Sequence, residues 1–146
     1  MNTKATLAFL SLPSINPGLV FHEHTAIHTT SARDVRGALD VYSSLLGYDI
    51  DLRNENVGFA WRGQHRLEIL RADGPAPEHE AFAVEELADF EPIVSAIDAT
   101  RDLFEIVSAD RSKEDFRNLL FRHLPTGAFL QVVWREKPLF PDVFKK

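Results

Sequence analysis

The sequence contains no cysteine. Disulfides, zinc–thiolate sites and thiol nucleophiles are therefore excluded, and any metal must bind through nitrogen and oxygen donors. Positive charge is also scarce: 16 Lys and Arg against 22 Asp and Glu leave a formal net charge of −6. With no basic run to replace phosphate counterions, nucleic acid is not an expected partner, and a small molecule is. No apolar stretch approaches the roughly 20 residues that cross a bilayer. The stretch from Ala5 to Leu12 follows a single lysine and runs into Pro13 without a cleavage site, so no signal peptide is expected and the cytoplasm is the default location.

What is present is ordinary for a globular chain. Of 146 residues, 45% are hydrophobic and 26% charged, enough for one domain with a substantial core. The organising stretch is His24-Thr25-Ala26-Ile27-His28, an alternating strand pattern. Ser31 to Leu46 follows, in which Val35, Ala38, Leu39, Tyr42, Leu45 and Leu46 have helical spacing, and Gly47 closes it. The unit returns 55 positions later, where His79-Glu80-Ala81-Phe82-Ala83-Val84 repeats the strand and Phe90, Ile93, Val94 and Ile97 repeat the apolar helix face.

Three short strands are expected after the first helix, at Tyr48 to Leu52, Val57 to Trp61 and Arg66 to Leu70, with turns at Asn54-Glu55-Asn56 and Arg62-Gly63-Gln64. After the second helix they are expected at Leu103 to Val107, Asn118 to Arg122 and Phe129 to Trp134, with Ser108 to Asp115 as a charged connection. Glu85, Glu86 and Asp89 read as a turn and helix start, where carboxylates favour the dipole. The prolines and glycine of residues 72–77 mark a linker between two modules, 22–71 and 78–134. Residues 1–21 read as a peripheral N-terminal arm in which Leu7 to Leu12 is a candidate edge strand. Residues 135–146 form a tail too apolar to stay in solvent, which should pack on its own sheet or on a neighbouring subunit. Open sheet edges and this tail make a homodimer the expected assembly.

Glu23-His24-Thr25-Ala26-Ile27, Tyr42 with Leu45-Leu46-Gly47-Tyr48, Arg66 to Leu70, His79 to Val84, and Phe121-Arg122 followed by Pro125 and Gly127 to Gln131 together resemble the vicinal oxygen chelate superfamily. That superfamily includes glyoxalase I, extradiol dioxygenases and bleomycin resistance proteins. The resemblance spans 22–134 and implies an α+β fold, two βαβββ modules forming one curved, open, barrel-like sheet of eight strands. It implies metal ligands on the first and last strands of each module, which carry over to His24, Glu68, His79 and Gln131. Where many relatives have glutamate this chain has Gln131, whose amide can ligate an ion but cannot take a proton. The usual Asp-Pro-Asp-Gly turn is also altered, to Leu124-Pro125-Thr126-Gly127.

Two imidazoles and a carboxylate suit Fe(II), Ni(II), Mn(II), Co(II) or Zn(II), with positions left open for a chelating substrate. The resemblance thus implies a glyoxalase-like lyase or isomerase working by proton transfer on a small oxygen-chelating substrate, with Glu68 as the catalytic residue. The alternatives are an Fe(II) extradiol-type dioxygenase and a non-enzymatic protein that sequesters an antibiotic. Among the other histidines, His28 shares a strand face with His24 and is a candidate to support it, His22 sits at the fraying strand end, and His65 and His123 near turns are expected to face solvent. Arg66 and Arg122 are candidates for the rim of the pocket. Phe59, Trp61, Phe82, Phe121, Phe129 and Trp134 read as core or pocket wall.

Overall fold

The computed structural model describes residues 3–30, 34–74 and 76–145. Ser31, which begins the expected helical stretch, and Pro75 of the expected linker lie outside the described residues. The chain is α+β. Its elements run α1 (Thr3–Leu10), β1 (Phe21–His28), α2 (Val35–Leu46), β2 (Asp49–Leu52), β3 (Val57–Arg62), β4 (His65–Leu70), β5 (His79–Val84), α3 (Phe90–Asp98), β6 (Phe104–Asp110), β7 (Phe116–His123) and β8 (Phe129–Arg135), which is βαβββ twice after a leading helix. The eight strands follow the hydrogen-bonded order β2-β3-β4-β1-β5-β8-β7-β6. Two compact units divide the chain, one of His24–His79 and one of Met1–Glu23 with Glu80–Lys146.

In the His24–His79 unit, β1 pairs in parallel with β4, and β4 pairs antiparallel with β3. Helix α2 starts because the Asp34 carboxylate accepts from Gly37 N at 2.6 Å, and it stops at Gly47, whose φ of 70° suits glycine. Its apolar stripe, Val35 and Leu39, packs on Ala60, Leu67 and Ile69, one face of the sheet. Gly58 permits that approach: a Cβ there would lie 2.6 Å from Leu39 Cδ1 and 3.2 Å from Val35 Cγ1. Because strand side chains alternate, the residues between these core positions are presented to the opposite face.

The other unit buries Phe82, Val84, Phe90, Ile93, Ile97, Phe104, Leu119, Phe121, Leu130 and Val132 in one cluster, and α1 belongs to it. The expected edge strand is instead a helix through Leu10. It is not peripheral: Ala5 and Phe9 are fully buried, and the Phe9 ring lies 5.6 Å from Phe82 and 5.3 Å from Phe121. Ala5 and Phe9 lie one turn apart on the buried side of the helix while Leu7 between them is exposed, whereas a strand would put all three on one face. The connection expected from Ser108 begins later, because β6 continues to Asp110 through an irregularity between Ile106 and Ser108 that shifts its pairing with β7. The tail packs on its own unit, with Phe140 and Val143 buried and the Phe144 ring edge-on to Phe21 at 5.2 Å.

Glu23 and Arg135 form a bidentate pair, with Nε–Oε2 at 3.0 Å and Nη2–Oε1 at 3.1 Å, and Arg135 also lies over the Phe116 ring. The Glu23 side chain is only 2% exposed, so the guanidinium compensates a carboxylate withdrawn from water.

Candidate metal centre

Glu68 is the Cα partner of Ala26 on β1 and of Phe59 on β3, so it stands on the sheet face away from α2. His24 lies two residues before Ala26 and shares that face. His79 opens β5 within the same compact unit. Their donor atoms converge: Nε2 of His24 and Nε2 of His79 each lie 3.7 Å from Glu68 Oε1, and the three potential ligand atoms are all within 4.8 Å of one another. The imidazole rings meet edge to face at 5.5 Å. Side-chain exposures of 1% for His24, 6% for His79 and 17% for Glu68 leave the carboxylate as the member most open to solvent.

The spacing distinguishes this group from a hydrogen-bonded cluster. His22 and Glu80 show what a histidine–carboxylate hydrogen bond looks like in this chain, with Nε2–Oε2 at 2.6 Å. At 3.7 Å the two contacts to Glu68 are beyond that reach. An ion bound at about 2.1 Å to each donor would draw neighbouring donors to about 3.0–3.5 Å, so modest closure completes the set. The tautomer of His79 agrees. Its Nδ1 lies 2.9 Å from the Pro77 carbonyl, which can only accept, so Nδ1 carries a hydrogen, and in the neutral ring the lone pair is then on Nε2, toward Glu68. Two neutral imidazoles and one carboxylate are a donor set that first-row divalent metals take, and the residues fit such an ion.

The fourth expected ligand, Gln131, is on β8 in the other unit, where its Nε2 donates to Asn118 Oδ1 at 2.7 Å. That bond orients the amide and leaves Oε1 as its acceptor end. The remaining candidates divide. His28 is not among the three clustered residues, and its Nε2 bonds the Ala76 carbonyl at 2.7 Å. His22 is engaged by Glu80 and does not fray. His65 is exposed as expected and bonded to Tyr48. His123, expected in solvent, is only 5% exposed: Thr126 Oγ1 lies 2.7 Å from its Nδ1, and Phe104 packs on its ring. Arg66 is buried and donates to Gln64 Oε1 at 2.9 Å, whereas Arg122 is half-buried and 3.8 Å from Glu105.

A concavity of 190 Å³ in the same unit is lined by Ile27, Ala38, Val41, Tyr42 and Ile69 with the 28–30 segment. Burial, then the neighbouring Tyr48, pushes the Tyr42 phenol up. Its apolar wall lies on the α2 side of the sheet, opposite the face that carries His24 and Glu68.

No protein-family model and no curated protein matches the sequence. Solved structures do. An extradiol ring-cleaving dioxygenase from B. fuscum superposes with a TM-score of 0.60 at 15% identity, over 87% of this chain and 36% of its own. The 2,3-dioxygenase LapB from Pseudomonas sp. KL28 gives 0.56 at 12% identity, over 83% of this chain and 44% of its own. This chain thus spans less than half the length of these dioxygenases. A lactoylglutathione lyase from Agrobacterium tumefaciens aligns over 80% of this chain and 95% of its own at 16% identity, but its TM-score of 0.36 gives that alignment no weight. At such identities the likeness concerns the fold.

Proposed function

The chain has the fold of the vicinal oxygen chelate superfamily, and from that premise we propose that it is a divalent-metal enzyme acting on a small substrate with two adjacent oxygens. His24, Glu68 and His79 hold the ion in this reading. The observation that carries it is the placement of both Nε2 atoms at 3.7 Å from one carboxylate oxygen, with the His79 tautomer set for ligation. Bound Fe(II) would supply Lewis acidity and the ability to react with dioxygen. The chain's own part is to balance charge and leave room. One carboxylate against a dication keeps the site positive by one unit, which favours an anionic, chelating substrate. Phe59, the partner of Glu68, and Trp61, the partner of Arg66, put aromatic surface on the same sheet face, suited to a flat ring.

Of the two chemistries open to such a site, oxidative cleavage of a catechol-like ring is the better supported. Proton transfer would ask Glu68 to serve as both ligand and base, whereas ring cleavage asks it only to ligate. The two similar structures named above with TM-scores over 0.5 are an extradiol ring-cleaving dioxygenase and a 2,3-dioxygenase, which adds to that reading. Glyoxalase-like isomerisation is the second reading, with Glu68 as both ligand and base. The deciding experiment is oxygen uptake by Fe(II)-loaded protein with catechols, run beside a proton-exchange assay on α-hydroxycarbonyl substrates. Oxygen consumption with ring opening supports the first reading. Exchange without oxygen consumption, lost in Glu68→Gln, supports the second, and metal-independent retention of an unchanged ligand would replace both by a sequestering protein.

A further inference from the structure

We infer that His28 is a positioning residue for His79, acting through the 76–78 segment that connects β4 to β5. This deepens the metal-site reading and rests on it for its functional meaning, but the anchoring itself is independent of any ion. His28 ends β1, four residues beyond His24, and grips the connection twice. Its Nε2 lies 2.7 Å from the Ala76 carbonyl, which can only accept, so Nε2 carries the hydrogen. Its backbone N–H donates to Glu78 Oε2 at 2.9 Å. Between these anchors stands Pro77, whose carbonyl receives the Nδ1 hydrogen of His79 at 2.9 Å.

The consequence follows from the backbone. Proline fixes its own φ near −65°, so the direction of the Pro77 carbonyl depends mainly on one soft torsion, its ψ. The Ala76 carbonyl before it and the Glu78 side chain after it are both tied to His28, which restrains that torsion from both sides. The carbonyl in turn selects the His79 tautomer with its lone pair on Nε2, the atom 3.7 Å from Glu68. Neighbouring Thr29 continues the clasp, its Oγ1 accepting from Ala72 N at 3.2 Å and its N–H donating to Leu70 O at 2.8 Å. His28 thus sets the aim of a ligand from the far end of its strand without joining the cluster.

The test reads the His79 tautomer and the metal affinity separately. Long-range ¹H–¹⁵N correlation on histidine-labelled, metal-free protein should show His79 with its hydrogen on Nδ1. In His28→Ala that preference should give way to a tautomer mixture, and the dissociation constant for Co(II) should rise by about 10–100-fold, as for other partners that orient a ligating histidine. His28→Gln, whose amide can still donate to Ala76, should restore most of both. Wild-type tautomer and Co(II) affinity in His28→Ala would overturn the inference, even if thermal stability fell. Should that variant not fold, the exposed Glu78→Ala removes the second anchor: a shift in the same direction supports the inference, and none overturns it. Failure of the wild-type protein to bind Co(II) would count against the metal reading alone, because the tautomer measurement still decides the anchoring.

Discussion

Arg135→Met tests whether the buried pair with Glu23 is an energetic anchor of its unit. Methionine keeps the length and much of the apolar contact with Phe116 while removing the charge that faces a carboxylate only 2% exposed. Two contacts of 3.0 and 3.1 Å are lost at once. Taking one partner from a buried pair typically costs about 3–5 kcal/mol, because the remaining charge keeps its desolvation penalty. Loss of the ring contact adds about 0.5–1 kcal/mol. For a chain of this size the fall in Tm should be on the order of 10 °C. The assay is urea unfolding at pH 7, with the slope checked for two-state behaviour. The double variant Glu23→Gln with Arg135→Met should recover part of the loss, because the carboxylate that faced Arg135 is then uncharged. A single-variant cost below about 1 kcal/mol, or a double variant no more stable than Arg135→Met alone, would refute the reasoning.

Phe9→Ala should cost about 3–5 kcal/mol in the same assay, because the ring is fully buried against Phe82 and Phe121; a near-neutral result would return α1 to the periphery. Gly58→Ala should cost about 1–3 kcal/mol by pushing α2 off β3, since its Cβ would meet Leu39 Cδ1 at 2.6 Å. An unchanged Tm there would mean that Leu39 moves aside freely.

The two βαβββ modules were legible because each repeats a period-two strand followed by a 3.6-period helix, and because Gly47 closes α2 as expected. The convergence of His24, Glu68 and His79 was legible only through the resemblance, since nothing local in Leu67-Glu68-Ile69 sets that carboxylate apart from an ordinary strand glutamate. Helix α1 was misread because eight mostly apolar residues fit a buried strand as readily as a short helix. Packing separates them: Leu7, which strand alternation would bury beside Ala5 and Phe9, is exposed. His123 looked solvent-facing from its place beside a turn, but sequence proximity to a turn does not reveal that Thr126 folds back onto the imidazole. The end of β6 was missed because an irregularity between Ile106 and Ser108 interrupts the alternation by which strands are read. Least visible was the part played by the linker, where residues read only as helix and sheet breakers supply the carbonyls that His28 and His79 bond.

The most direct test of the metal reading is the stoichiometry of divalent metal on protein produced without a histidine tag, measured by elemental analysis and by Co(II) titration of the wild type and of His24→Ala, His79→Ala and Glu68→Gln. One ion per chain is expected in the wild type. His24→Ala and His79→Ala should each bind weaker by several orders of magnitude, because each removes a strong nitrogen donor. Glu68→Gln keeps an oxygen donor but loses the anionic charge, so it should also bind weaker, with metal-free stability comparatively little changed. A wild-type chain that takes up no Fe(II), Co(II), Mn(II), Ni(II) or Zn(II), or variants that bind as tightly as the parent, would contradict the metal reading.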